Sequence, residues 1–221
     1  VKSSSADFGV SFDADGDRVF FFDEGGQFVS AYFVTAILSE ALLLLDPGSK
    51  IIYDPRSVWA IIETVEQNGG QALINKAGHS FFKERMRSEN AIFAGENSGH
   101  YYFRDNFFAD DGLLAFLTMW QLLSKKNCRF SELFQEIQEK YKISGEINFI
   151  VQSSEQVISS LKEKYHEGKQ HEIDGLSVEF PDWRFNIRPS NTEPLIRLNA
   201  ESRSQEVLDK NLPKLIAEIE N

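Results

Sequence analysis

The sequence predicts an α/β protein in two parts: a mixed, largely parallel α/β sandwich domain followed by a smaller α+β domain. Two observations carry this. Between about residues 50 and 95, short β-branched and aromatic runs alternate with helix-length stretches, the order that lays down a parallel sheet with crossover helices. From Gly145 the order becomes strand, helix, three strands and a last helix, the texture of an α+β fold.

Element by element, 7–12 and 19–23 read as strands around a loop of carboxylates. Ser30 caps a helix to about Leu45, stopped by Asp46, Pro47 and Gly48. Then come strand 50–53, helix 57–68 ended by Gly69 and Gly70, strand 72–75, helix 80–87 and strand 91–94. Two helices, 110–125 and 131–141, close this part; Ser131 is the candidate cap of the second. The remainder reads as strand 146–152, helix 154–166, strands 176–180, 183–188 and 195–200, and a helix from Ser204, with a boundary at 144–146.

Thirty-four acidic against 23 basic residues give a net charge of −11, which repels a nucleic-acid backbone. An anionic small ligand then depends on a local cluster of Arg, Lys and metal. No run approaches the roughly 18 apolar residues of a membrane span. Cys128 is the single cysteine, so no intrachain disulfide forms. The chain opens on Val1, without the basic start and apolar middle of a signal peptide. A cytoplasmic chain cut at its N-terminus is the expectation.

Three segments carry chemistry. In Asp13-Ala14-Asp15-Gly16-Asp17-Arg18, alternating carboxylates in a curled loop aim three oxygens at one point. Their mutual repulsion calls for a hard divalent cation, and few protein oxygens with open positions suit Mg²⁺. A calcium EF-hand would need Gly where Arg18 stands, and helices where strands flank the loop. Gly95-Glu96-Asn97-Ser98-Gly99-His100 offers a carboxylate, a hydroxyl and an imidazole, which suits a polyol and a proton transfer, and also reads as a polar turn. Arg188-Pro189-Ser190-Asn191-Thr192-Glu193-Pro194 pairs a guanidinium fork with short donors on a proline-restricted loop, a design for an anion. His79 opens a helix after Gly78, where phosphate or a simple cap fits; Arg56 and Lys76 are weaker sources of positive charge. Tyr101, Tyr102 and Phe103 are of a type that stacks on a sugar, but core packing is the role expected of them.

These segments resemble, in order, the D-G-D-x-D-R metal loop, the G-E-x-S-G-H sugar loop and the R-x-S-N-T-E-P phosphate loop of the α-D-phosphohexomutases, phosphomannomutase/phosphoglucomutase type. Ala14 replaces the usual first Gly. Gly78-His79-Ser80 resembles the family's G-H segment. The resemblance implies residues 1–24 as the tail of the family's second domain, 25–144 as its third, α/β sugar-binding domain, and 145–221 as its fourth, TATA-binding-protein-like domain. It implies Mg²⁺ on Asp13, Asp15 and Asp17, with Arg18 and His100 catalytic. Arg56, His79, Glu96, Ser98, His100, Arg188, Ser190, Asn191 and Thr192 would hold substrate.

The implied activity is interconversion of hexose 1-phosphate and 6-phosphate through a phosphoserine and a glucose or mannose 1,6-bisphosphate, which activates the full-length enzyme. The serine loop of the T-A-S-H-N kind has no counterpart in these residues. The expectation is therefore that missing N-terminal domains of the same chain supply it, and that residues 1–221 bind hexose phosphates but do not turn them over. A phosphoglucosamine mutase ranks second, because such enzymes usually have Gly where Asn191 stands. A non-catalytic sugar-phosphate-binding module is the reading outside catalysis.

Overall fold

The structure is a computed structural model that describes residues 1–190 and 195–220. Its contacts separate two compact units: residues 1–54 with 58–138, and Pro55–Ser57 with the chain from Glu139 onward.

The first unit opens with an antiparallel three-stranded sheet of β1 (Gly9–Phe12), β2 (Val19–Phe22) and β3 (Phe28–Val29). Helix α1 (Ala31–Leu43) follows, with the Ser30 hydroxyl accepting from the Tyr32 N–H as expected of its cap. Then come β4 (Lys50–Tyr53), α2 (Trp59–Gln67), β5 (Gln71–Ile74), α3 (His79–Glu89), β6 (Phe93–Gly95), β7 (Tyr101–Phe103), β8 (Ala109–Asp110), α4 (Gly112–Lys126) and α5 (Glu132–Lys140). The second sheet runs β5-β4-β6-β7-β8: the first three strands are parallel, the last two antiparallel. Central β4 is apolar throughout Ile51, Ile52 and Tyr53, all buried, as a strand covered on both faces must be. Helix α1 lies so close to β6 that a Cβ at Gly95 would collide with Thr35.

Sequence reading missed β7 and β8, because a return strand of three buried aromatics has no polar alternation to mark it. Core packing of those aromatics is observed: Tyr101 and Tyr102 are fully buried and Phe103 nearly so. Ser131 does not cap α5; its hydroxyl donates to Glu24 Oε1 at 2.5 Å.

The second unit contains β9 (Lys142–Ile150), α6 (Ser154–Lys164), β10 (Lys169–His171), β11 (Leu176–Glu179), β12 (Trp183–Pro189), β13 (Leu195–Ser202) and α7 (Gln205–Glu220). The strands form one antiparallel sheet in the order β10-β11-β12-β13-β9. Period-two alternation sends Phe185, Ile187, Ile196, Leu198 and Phe149 into a core with Leu161 of α6 and Leu208, Leu215 and Ile219 of α7. The alternate positions Arg188, Arg197 and Glu146 take the other face. Strand β9 begins at Lys142, earlier than the expected Glu146. Gly145 sits at φ +70° beside a register shift opposite Asn199 and Glu201, so the strand passes through a bulge. No helix among the described residues is long and apolar enough to cross a membrane.

Candidate functional site

The carboxylate loop connects β1 to β2, whose residues Phe12 and Val19 are register partners. Gly16 lies at φ +78°, a left-handed conformation that glycine adopts without steric penalty. The chain turns there so that one oxygen each of Asp13, Asp15 and Asp17 lie within 4.8 Å of one another. Ala14 has no positive φ, so its methyl group brings no backbone strain. The Arg18 N–H donates to Asp13 Oδ1 at 3.2 Å, and its Nε stands 3.3 Å from Asp13 Oδ2.

Asp17 Oδ1 is buried and has no hydrogen-bond partner among the described residues. Burial first, then the carboxylates of Asp13, Asp15 and Asp110, raise the Asp17 pKa. Asp13 shifts the other way: burial pushes it up, but the Arg18 N–H, the hydrogen bond with Asp17 and the Arg18 charge outweigh burial and lower it. Three converging hard oxygens, one of them an orphaned buried acceptor, fit a magnesium-like cation.

The Glu96–His100 loop joins β6 to β7 and is stitched to the carboxylate loop. The Val19 N–H donates to the Gly99 carbonyl at 3.2 Å, and Arg18 and His100 form a β-bridge. Gly99, at φ +87°, makes this approach feasible; a Cβ there would press on Phe20 at 2.8 Å. Between the side chains, Arg18 Nε donates to His100 Nε2 at 3.1 Å. Ser98 Oγ donates to Glu96 Oε2 at 2.9 Å and lies 2.8 Å from His100 Nδ1. A hydroxyl has one proton, so Ser98 accepts from His100 Nδ1–H. This network assigns the neutral Nδ1–H tautomer, with the Nε2 lone pair turned to Arg18. Burial, followed by the charges of His79 and Arg18, holds the His100 pKa down to about 4.

Glu96 is placed differently from an open sugar-facing carboxylate. It is 4% exposed, and Oε1 also accepts from the Gly78 N–H and the Tyr102 hydroxyl, both at 3.2 Å. Three of about four acceptor directions are thus used.

His79 begins α3 and meets His100 edge-on, with ring centroids 4.3 Å apart. Its Nδ1 lies 2.7 Å from Asp110 Oδ2, while Lys83 Nζ lies 2.8 Å from Asp110 Oδ1. Burial raises the Asp110 pKa, but these hydrogen bonds from Lys83 and His79 outweigh it and lower the value. Asp110 and Lys83 were not legible as site residues. The available signals were the four-residue spacing from His79 to Lys83, which puts both on one helix face, and the Asp-Asp-Gly that opens α4. There Asp111 caps the helix through the Leu114 N–H at 2.9 Å, and Gly112 packs directly on the carboxylate loop. Lys76 lies over the Phe81 ring at 4.9 Å.

In the second unit, Arg188 lies one residue before the end of β12 and is directly opposed to Arg197 of β13. Ser190 follows, its N–H donating to the Leu195 carbonyl at 2.8 Å; Asn191 and Thr192 lie outside the described residues. A lone arginine such as Arg56 is by default solvated, but here it is 5% exposed and 3.8 Å from Glu146 Oε2. Arg184 holds its segment, donating to the carbonyls of Arg56 at 3.0 Å and Pro55 at 2.9 Å.

Fold and site define a class: an α/β unit with a carboxylate loop suited to a hard cation, and an α+β unit with an arginine cluster suited to an anion. The chain belongs to the phosphoglucomutase/phosphomannomutase family. Residues 30–141 match the family's alpha/beta/alpha domain III, and residues 146–218 its C-terminal domain. It is 43% identical over 210 residues to a phosphomannomutase of Escherichia coli, covering 94% of this chain and 46% of that one. It is 44% identical over 227 residues to a phosphomannomutase of Vibrio cholerae, covering 100% of this chain and 49% of that one. A phosphoglucomutase/phosphomannomutase family protein from Burkholderia thailandensis superposes with a TM-score of 0.85 at 30% identity, over 99% of this chain and 47% of that one. The chain spans about half the length of the curated relatives it matches.

Proposed function

We propose that these residues form the cation-binding, sugar-binding and distal phosphate-binding part of a phosphomannomutase/phosphoglucomutase, which interconverts hexose 1-phosphate and 6-phosphate. The observation that carries this reading is the contact of Arg18 Nε with His100 Nε2 at 3.1 Å, which joins the carboxylate loop to the polyol loop at one point. The phosphomannomutase relatives support the activity. In this reading residues 1–24 end one domain, 25–144 form the sugar-binding domain and 145–221 the phosphate-binding domain.

Asp13, Asp15 and Asp17 would hold Mg²⁺, which when bound supplies Lewis acidity toward a phosphate oxygen. The protein's own groups do the rest. The Arg18 guanidinium neutralises phosphoryl charge as it builds. His100, neutral and with an unprotonated Nε2, takes the proton from the attacking sugar hydroxyl once Arg18 turns to phosphate. Ser98 and Glu96 keep that imidazole in the right tautomer, and Asp110 orients His79 beside it. Arg188 and Ser190, with Asn191 and Thr192, clamp the phosphate that is not reacting.

The cycle draws its phosphoserine, and a glucose or mannose 1,6-bisphosphate activator, from outside these 221 residues. A cytoplasmic location belongs to the same reading, since hexose phosphates are its substrates. Calorimetry with glucose 6-phosphate and Mg²⁺ on residues 1–221 should show binding that Arg188→Ala removes, and a coupled assay should show no turnover. Robust conversion of mannose 1-phosphate by this chain alone would sink the division of labour.

A further inference from the structure

The arginine cluster of the second unit already contains an anion of its own. Arg188 and Arg197 are register partners on β12 and β13, and like charges directly opposed across a ladder repel. Arg197 is in turn the partner of Asn148 on β9, and Glu146 lies two residues before Asn148, on the same face. Its carboxylate reaches into the cluster: Oε1 is 3.2 Å from Arg197 Nη1, and Oε2 is 3.7 Å from Arg188 Nη2 and 3.8 Å from Arg56 Nη1.

Only the contact with Arg197 has hydrogen-bond length. Toward Arg188 and Arg56 the Glu146 carboxylate supplies charge at distances too long for a hydrogen bond to either guanidinium fork; Asp174 Oδ2 stands 3.9 Å from Arg188 Nη1, and Arg188 Nε is a buried donor with no partner among the described residues. The exposures also differ: the side chains of Arg56 and Arg188 are 7% and 11% exposed, that of Glu146 28%. Arg56 and Arg188 are enclosed, whereas Glu146 and its partner Arg197, each 28% exposed, reach solvent. A phosphate dianion presents three oxygens to the same forks and fits them better than one distant carboxylate oxygen.

We propose that Glu146 is a resident competitor for the phosphate position: it neutralises the three arginines when no ligand is bound, and it must withdraw for phosphate to enter. It thereby weakens phosphate binding and keeps release of the bound end possible. This rests on the reading of Arg188 as a phosphate ligand.

Binding of inorganic phosphate to residues 1–221, followed by ³¹P NMR or calorimetry, tests it. Glu146→Gln keeps an acceptor for Arg197 and removes the charge. It should bind phosphate at least about threefold more tightly than the parent, and Glu146→Ala should do likewise. The gain should vanish in Glu146→Gln/Arg188→Ala. Unchanged or weaker binding by both Glu146 variants, with native far-UV dichroism, overturns the proposal and makes Glu146 a strut for the arginines. If Arg188→Ala alone leaves phosphate affinity untouched, the reading of Arg188 fails first, and the competition falls with it.

Discussion

The Nε–H of Arg18 donates to Nε2 of His100 across 3.1 Å, and the backbones of the same two residues form a β-bridge. Two loops distant in sequence are thus locked together through both the backbones and the side chains of these residues. Long-range ¹H–¹⁵N NMR at pH 6, on the chelated chain, should find His100 neutral, with a protonated Nδ1 and an unprotonated Nε2. A cation held by Asp17, whose Oδ2 lies 3.6 Å from His100 Nε2, would act in the same direction. Ser98→Ala should mix the tautomers, because it removes the acceptor that selects Nδ1–H.

Asp17 Oδ1 is a buried acceptor without a donor among the described residues. Mg²⁺ should therefore stabilise the chain in thermal melts, by about 2.7 kcal/mol at a hundred times its dissociation constant. Asp17→Asn removes one of the repelling charges and should raise stability in chelator while abolishing the Mg²⁺ response. A full Mg²⁺ response in this variant would remove Asp17 from the ligand set.

Gly112 stands where α4 meets the carboxylate loop. A Cβ there would lie 2.7 Å from the Gly16 carbonyl oxygen and 2.9 Å from that of Arg18, both backbone atoms. Gly112→Ala should cost about 1–3 kcal/mol in urea unfolding and weaken Mg²⁺ binding, since the loop must move to admit the methyl group.

Glu24 anchors the start of α5. Burial raises its pKa, but the hydrogen bonds from the Ser131 hydroxyl and N–H, with the Arg129 charge, outweigh it and lower the value below 4.5. A carboxylate depressed in the folded state stabilises above its unfolded pKa and loses that contribution as pH falls through the folded value. Glu24→Gln should lower stability at pH 7 and flatten the acid limb of the profile below about pH 4.5. An unchanged acid limb in denaturant titrations would count against it.

Arg184 and Glu201 form a buried pair at 3.3 Å in the second unit. Arg184→Met removes a charge partner of the buried Glu201 carboxylate and releases the Pro55 and Arg56 carbonyls. The expected loss is about 3–5 kcal/mol. Adding Glu201→Gln should recover part of it, as read from urea midpoints.

The sequence by itself determined the alternation that builds the first unit, the α+β order of the second, and the three loops. Each is a local property: hydrophobic period, breaker residues, and several functional groups close together in the chain. Asp13, Asp15 and Asp17 were legible because their spacing alone lets them converge. Three things were decided only in three dimensions. Asp110 and Lys83 meet His79 because α3 and β8 come together, although Asp110 lies 31 residues from His79. Glu96 is enclosed because the return strand β7 brings Tyr102 against it. Glu146 faces Arg188 and Arg197 because the sheet order sets β9 beside β13, a pairing that depends on long-range register and leaves no trace in the local sequence.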